Sequence, residues 1–103
     1  MNSRAKGCRG EREFRDVLRA HGFEARRGQQ FAGGGDNPDV ISNVPRVHWE
    51  VKRVEAGNPY LWLAQAIEDG MDRVPVVAHK RNGKEWIAIM RMEDLIDLLK
   101  ART

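Results

Sequence analysis

Cysteine is nearly absent: among 103 residues only Cys8 carries a thiol. An internal disulfide is therefore excluded, no Cys/His cluster has the spacing of a zinc site, and Cys8 reads as just a small residue. Long apolar runs are missing as well. No stretch approaches the length that crosses a bilayer, and the opening Met1-Asn2-Ser3-Arg4-Ala5-Lys6 lacks the apolar segment of a secretory signal. The expectation is a soluble, cytoplasmic chain without membrane contact. Repeats, linkers and low-complexity tracts are absent too, so residues 1–103 are expected to form one domain around one modest core.

The charge that is present is unevenly placed. Residues 1–27 hold eight Lys/Arg (Arg4, Lys6, Arg9, Arg12, Arg15, Arg19, Arg26, Arg27) against four acids, a local excess of +4, while the remainder is −1. A basic end on a balanced body suits a protein that tracks a phosphate backbone, although ribosomal, membrane-surface and merely soluble proteins carry the same feature.

The most informative stretch runs from Pro38 to Lys52. Val40-Ile41 and the run from Val47 to Val54 flank Asn43-Val44-Pro45-Arg46, whose Asn and Pro favour a turn, so a hairpin is expected. Strand alternation puts His48, Glu50 and Lys52 on one face and Val47, Trp49 and Val51 on the other. In antiparallel register Asp39 approaches Glu50, and two carboxylates beside one lysine suit Mg²⁺, which takes hard oxygen ligands and shares them with substrate phosphates. A metal there would acidify a bound water, and Lys52 would orient the nucleophile or stabilise developing charge. The plainer alternative is a Glu50–Lys52 surface pair with Asp39 capping a turn.

Residues 8–21 read as an amphipathic helix with Phe14, Val17, Leu18 and His21 on its apolar stripe and Gly22 as its stop. Glu11 falls on that stripe, where it needs a pairing partner or a metal, or else is held by the helix dipole at a partly exposed start. Phe23 to Arg27 reads as a first strand. The following loop contains Gly33-Gly34-Gly35 but neither the lysine nor the helix of a nucleotide-binding P-loop, so it is either substrate-facing or a surface connection. A second helix is expected over Tyr60 to Arg73, with Tyr60, Leu63, Ala64, Ile67 and Met71 facing the core and Gln65 between stripes. Val74–His79 and Glu85–Met90 read as strands joined through Lys80-Arg81-Asn82-Gly83-Lys84, in which Asn82-Gly83 signals a tight hairpin. Its cations either touch DNA or form a solvated tip. A last helix, Glu93 to Ala101, would offer Leu95, Ile96, Leu98 and Leu99 to the core. The result is an α/β fold, a central mixed five-stranded sheet flanked by helices.

Glu11 on the first helix, Pro38-Asp39, Glu50-Val51-Lys52 and a following helix with Gln65 stand in the element order of the PD-(D/E)XK nuclease core, which this chain resembles. Within that superfamily it is most similar to the archaeal-type Holliday junction resolvases and their small phage counterparts. Lys6-Gly7, Glu11-Arg12, Leu18 and Gly22-Phe23 follow the order and spacing of their N-terminal helix. The resemblance implies Glu11, Asp39 and Glu50 as metal ligands, Lys52 as catalytic lysine and Gln65 as an accessory active-site residue. It departs at Ala32-Gly33-Gly34-Gly35, where the archaeal proteins carry a serine, so no catalytic serine is transferred.

The resemblance further implies a Mg²⁺-dependent endonuclease, with Mn²⁺ as the alternative ion, that cuts four-way DNA junctions as a homodimer and leaves a 5′-phosphate and a 3′-hydroxyl. If the chain is phage-encoded, it would act in the host cytoplasm. Arg4, Lys6, Arg9, Arg12, Arg27, Gly33, Gly34, Lys80, Arg81 and Lys84 are the expected DNA contacts. Another endonuclease of the same fold acting on linear duplex, and a non-catalytic DNA-binding protein, are the alternatives.

Overall fold

A computed structural model describes the backbone of residues 3–28 and 38–102, with side chains from Cys8 onward. The elements are α1 (Ser3–Ala20), β1 (Ala25–Arg27), β2 (Val40–Ser42), β3 (Val47–Lys52), α2 (Pro59–Gly70), β4 (Val74–His79), β5 (Ile87–Ile89) and α3 (Met92–Ala101). The five strands form one mixed sheet in the order β1-β2-β3-β4-β5. β1, β2 and β3 pair antiparallel, with Ala25 opposite Ser42 and Val40 opposite Trp49. β3 and β4 run parallel from Val47 beside Val74 to Lys52 beside His79, and β5 closes antiparallel to β4. A parallel pair needs a crossover, and α2 supplies it.

Each helix boundary has a local cause. α1 ends at Gly22, whose φ of +93° suits a residue without a Cβ. There the Phe23 and Gly22 N–H groups donate to the Leu18 and Arg19 carbonyls at 3.0 Å each, the double bond of a Schellman close. α2 opens on Asn58, whose side-chain oxygen accepts from the Tyr60 N–H at 3.0 Å, with Pro59 in the first turn, where its missing N–H costs nothing.

β3 is the centre of the sheet, and a glycine brings a helix close to each of its faces. Gly10 of α1 lies where any Cβ would collide with the Arg53 side chain, and a Cβ at Gly70 of α2 would stand 3.1 Å from the Cβ of His48. On the α1 side Phe14, Leu18, Ala25, Val40, Val51 and Ala78 form the core, with Val17, Trp49 and Trp86 partly buried against it. The Phe14 ring meets Trp49 edge-on at 4.9 Å and Trp86 at 5.2 Å, geometry favoured by the ring quadrupoles. On the α2 side Ala66 and Gly70 are buried.

Several expectations are corrected. α1 starts at Ser3 rather than near residue 8, and His21 is exposed beyond its last turn. β1 spans three residues rather than five and leaves Phe23 42% exposed. The buried stripe of α2 is rotated: Tyr60 and Met71 are 86% and 69% exposed, while Ala66 and Gly70 pack inward because the small residues allow the close approach. α2 also stops at Gly70 rather than Arg73. The Arg81–Lys84 turn forms, with the Lys84 N–H donating to the Arg81 carbonyl at 3.1 Å and φ +73° at Gly83. It is no tight hairpin, because the β4–β5 ladder ends at His79 opposite Ile87 and residues 80–86 lie between. The largest departure is α3. No residue of it is buried, and among the described residues it packs closely on no other element.

Candidate active site

The hairpin register decides which groups meet. Pairing Val40 with Trp49, and donation from the Asp39 N–H to the Trp49 carbonyl at 2.9 Å, leave Asp39 beside Glu50 on the α2 side of the sheet. The Asp39 carboxylate is fixed by the Val51 N–H, which donates to Oδ2 at 2.8 Å. Glu50 is 7% exposed and His48 fully buried. Two residues apart on one strand face, they meet with His48 Nε2 2.8 Å from Glu50 Oε1. The imidazole N–H donates to the carboxylate and sets its orientation.

Burial, then the neighbouring charge of Glu50, pushes the Asp39 carboxyl up from 3.8 to about 7, against the opposing pull of the Val51 N–H; the Glu11 charge adds to the rise. A half-buried carboxylate facing a buried one favours a proton or a cation between them. A hard divalent ion held by one or two carboxylates with the rest of its shell from water and phosphate fits that donor set. Among the described residues no group of three or more His, Cys, Asp or Glu is placed to hold a metal. Glu11 is instead engaged by Arg27, whose Nε donates to its Oε1 at 3.1 Å while Nη2 donates to the Cys8 sulfur at 3.0 Å. This bond to Glu11 is the main cause raising the Arg27 pKa above its ordinary value. The charge of Glu11 is therefore felt at Asp39, but its carboxylate is already paired. Glu11 is thus paired and mostly buried rather than held at an exposed helix start.

Lys52 lies on the same face as Glu50 by strand alternation and is partly exposed. Gln65 is exposed on α2, and its amide donates to Asp69 at 2.9 Å. Arg9, Arg12, Arg81 and Lys84 are exposed and Lys80 is half-buried. Arg27, expected at DNA, is partly exposed and pairs with Glu11. The side chains of Arg4 and Lys6 lie outside the described ones, and Gly33 and Gly34 lie outside the described residues.

Two residues were overlooked in the sequence. His48 was visible on the Glu50 face, and a polar ring there calls for a polar partner. Arg53 gave no such signal. It donates to Glu13 of α1 at 3.0 Å and, through Nη1, to the Lys80 carbonyl at 3.5 Å. The middle of α1 and the start of the basic β4–β5 connection are thereby tied to one another.

The chain is similar in structure to Hjc, a Holliday junction resolvase from the hyperthermophilic archaeon Archaeoglobus fulgidus, with a TM-score of 0.58 and 24% identity over 80% of this chain and 73% of that one. The fold is that of the PD-(D/E)XK nucleases. No protein-family model and no curated protein matches the chain. No described helix is long and apolar enough to cross a membrane.

Proposed function

We propose that the chain is a metal-dependent endodeoxyribonuclease that resolves four-way DNA junctions by phosphodiester hydrolysis. The observation that carries this reading is the pair of buried Glu50 and half-buried Asp39, with Asp39 pushed up to about 7, at the centre of a nuclease-type sheet. Such a pair costs stability in an empty protein and gains from a divalent ion, so its presence is better explained by binding than by folding. Asp39 and Glu50 would hold the ion, with Glu11 available on release from Arg27. The ion supplies charge neutralisation at the scissile phosphate and acidifies water. The chain's own groups do the remainder: His48 keeps Glu50 aimed, the Val51 N–H keeps Asp39 aimed, and Lys52 stands on the same face to stabilise the charge that develops at the phosphate.

Arg9, Arg12, Lys80, Arg81 and Lys84 would track the backbone, reading branched shape rather than sequence, with affinity that falls steeply with salt. Resolution takes two symmetric cuts, which a two-fold homodimer supplies.

The test is cleavage of a four-way junction against linear duplex of the same sequence, with Mg²⁺ or Mn²⁺. Junction-selective cutting abolished by Asp39→Ala or Glu50→Ala, with junction binding retained, is the expected outcome. Equal cutting of both substrates would move the chain to a duplex-acting branch of the fold. Cleavage that survives either substitution at near wild-type rate would falsify the site.

A further inference from the structure

The connection between β4 and β5 crowds Lys80, Arg81 and Lys84 around the Asn82-Gly83 turn. Cations that close repel one another, and a segment outside the strand ladder has few backbone bonds of its own to hold it. This one is nevertheless fastened, through Lys80 and Asn82, to the strand end that bears Lys52. The Lys80 N–H donates to the Lys52 carbonyl at 3.1 Å, and the Lys80 carbonyl accepts from Arg53 Nη1 at 3.5 Å. Two residues on, the Asn82 N–H is shared between the carboxylate oxygens of Glu55 at 3.1 and 3.0 Å.

Arg53 is the hub of this arrangement. Its side chain is 12% exposed, with Nε donating to Glu13 of α1 at 3.0 Å and Nη1 standing 3.5 Å from Glu55 Oε2. A guanidinium holds its donors in a rigid fork and serves two acids and a carbonyl at once, which the point charge of a lysine does not. Glu55 is the informative partner. On a surface that tracks phosphates an acid beside three cations has the wrong sign, so attraction to DNA does not account for it. Its bonds to the turn do.

We propose that Arg53 and Glu55 are positioning residues for DNA, which set the basic connection 80–84 in place beside the Lys52 end of β3 so that it is ordered on folding rather than on binding. The role rests on the reading of the protein as a nuclease of branched DNA, and it assigns the groups that hold part of the phosphate-tracking surface without touching phosphate themselves.

The experiment is the affinity of the full-length chain for a four-way junction in EDTA, over a range of salt, with circular dichroism as the check on folding. Glu55→Ala removes a negative charge and should nevertheless weaken binding about tenfold, whereas Glu55→Gln, with the same change of charge but an acceptor left for the Asn82 N–H, should stay within about threefold of wild type. Arg53→Lys keeps the charge without the fork and should lose about as much as Glu55→Ala. The slope of log affinity against log salt should be unchanged by Glu55→Ala and should fall by about two in Arg81→Ala combined with Lys84→Ala. Adding Glu55→Ala to that pair should cost less than about twofold more, because Glu55 acts through those cations. In cleavage with Mg²⁺, Glu55→Ala should raise KM about tenfold and leave kcat within about twofold. In the free protein the same change should speed hydrogen exchange at the Asn82 amide at least about tenfold.

Tighter binding by both Glu55 variants would mean that charge alone acts there, and overturns the proposal. So does an Asn82 amide that exchanges equally fast in wild type and Glu55→Ala, an Arg53→Lys chain of wild-type affinity, or a full tenfold loss from Glu55→Ala when Arg81 and Lys84 are already gone. A wild type that binds no branched DNA overturns the junction reading and this role with it. A wild type that binds and cuts junctions while Glu55→Ala changes neither affinity nor KM overturns the positioning role alone.

Discussion

Around β3 the protein buries what water normally keeps: His48 fully, Glu50 to 7% exposure, and Asp39 closely enough that its carboxyl rises to about 7. At α3 it leaves in water what a core normally takes, with Leu95, Ile96, Leu98 and Leu99 all at least 37% exposed. Each region breaks the ordinary rule of burial, in opposite directions. Buried charge raises the energy of the fold through lost hydration, while an exposed apolar stripe raises it through contact with water. Both mark places where the chain is tuned to something other than its own stability.

The comparison is broken most sharply by removing the charge at Asp39. With its carboxyl raised from 3.8 to about 7, the native state binds more protons than the unfolded chain across that window. The contribution of Asp39 to metal-free stability is therefore greatest below about pH 4, falls as pH rises, and is lost above about 7. Asp39→Asn, which can still accept from the Val51 N–H, should flatten that slope in urea denaturation and raise stability at pH 8. A slope unchanged by the substitution would locate the titrating group elsewhere.

The next effect comes from His48. Its imidazole contributes a hydrogen bond to Glu50 at 2.8 Å, and His48→Leu leaves that carboxylate buried without it, at a cost of about 1–3 kcal/mol. The same variant should weaken Mn²⁺ binding, measured by calorimetry, by roughly 10- to 100-fold, as expected when a group orienting a ligand is lost. His48→Gln, which keeps a donor, should recover part of both.

Adding the ion should reverse part of the carboxylate cost. At a Mg²⁺ concentration ten times its Kd the fold gains about 1.4 kcal/mol, and Asp39→Asn should abolish most of this gain in thermal melts. The smallest effect belongs to the other region. In dilute monomer, Leu99→Ala should change stability by less than about 0.5 kcal/mol, whereas Phe14→Ala in the α1 core should cost about 3–5. A large loss at Leu99 under those conditions would mean that α3 is packed on its own chain.

Much of the fold was legible because the responsible signals are local. Gly22 stops α1, Asn58-Pro59 starts α2, and the β-branched apolar run Val74–His79 marks β4 within its observed limits. The Asp39–Glu50 approach was legible too, since a hairpin turn sets the register that brings them together. What misled was periodicity read without a partner. α2 offers more than one apolar arc, and only the approach of Gly70 to His48 determines which one turns inward. α1 and α3 are both amphipathic, yet one buries its stripe and the other does not, because amphipathicity states that a face needs covering and not what will cover it.

By itself, then, the order of residues determined the elements, the strand alternation that puts His48, Glu50 and Lys52 on a common face, and the basic bias of the first 27 residues. Only the tertiary structure decided that Arg27 pairs with Glu11, that Arg53 ties α1 to the β4–β5 connection, that Gln65 bonds Asp69, and that α3 buries none of its residues. The reason is range: caps, turns and alternation act over a few residues, whereas the 16 positions between Glu11 and Arg27 or the 40 between Glu13 and Arg53 are closed only when the sheet forms.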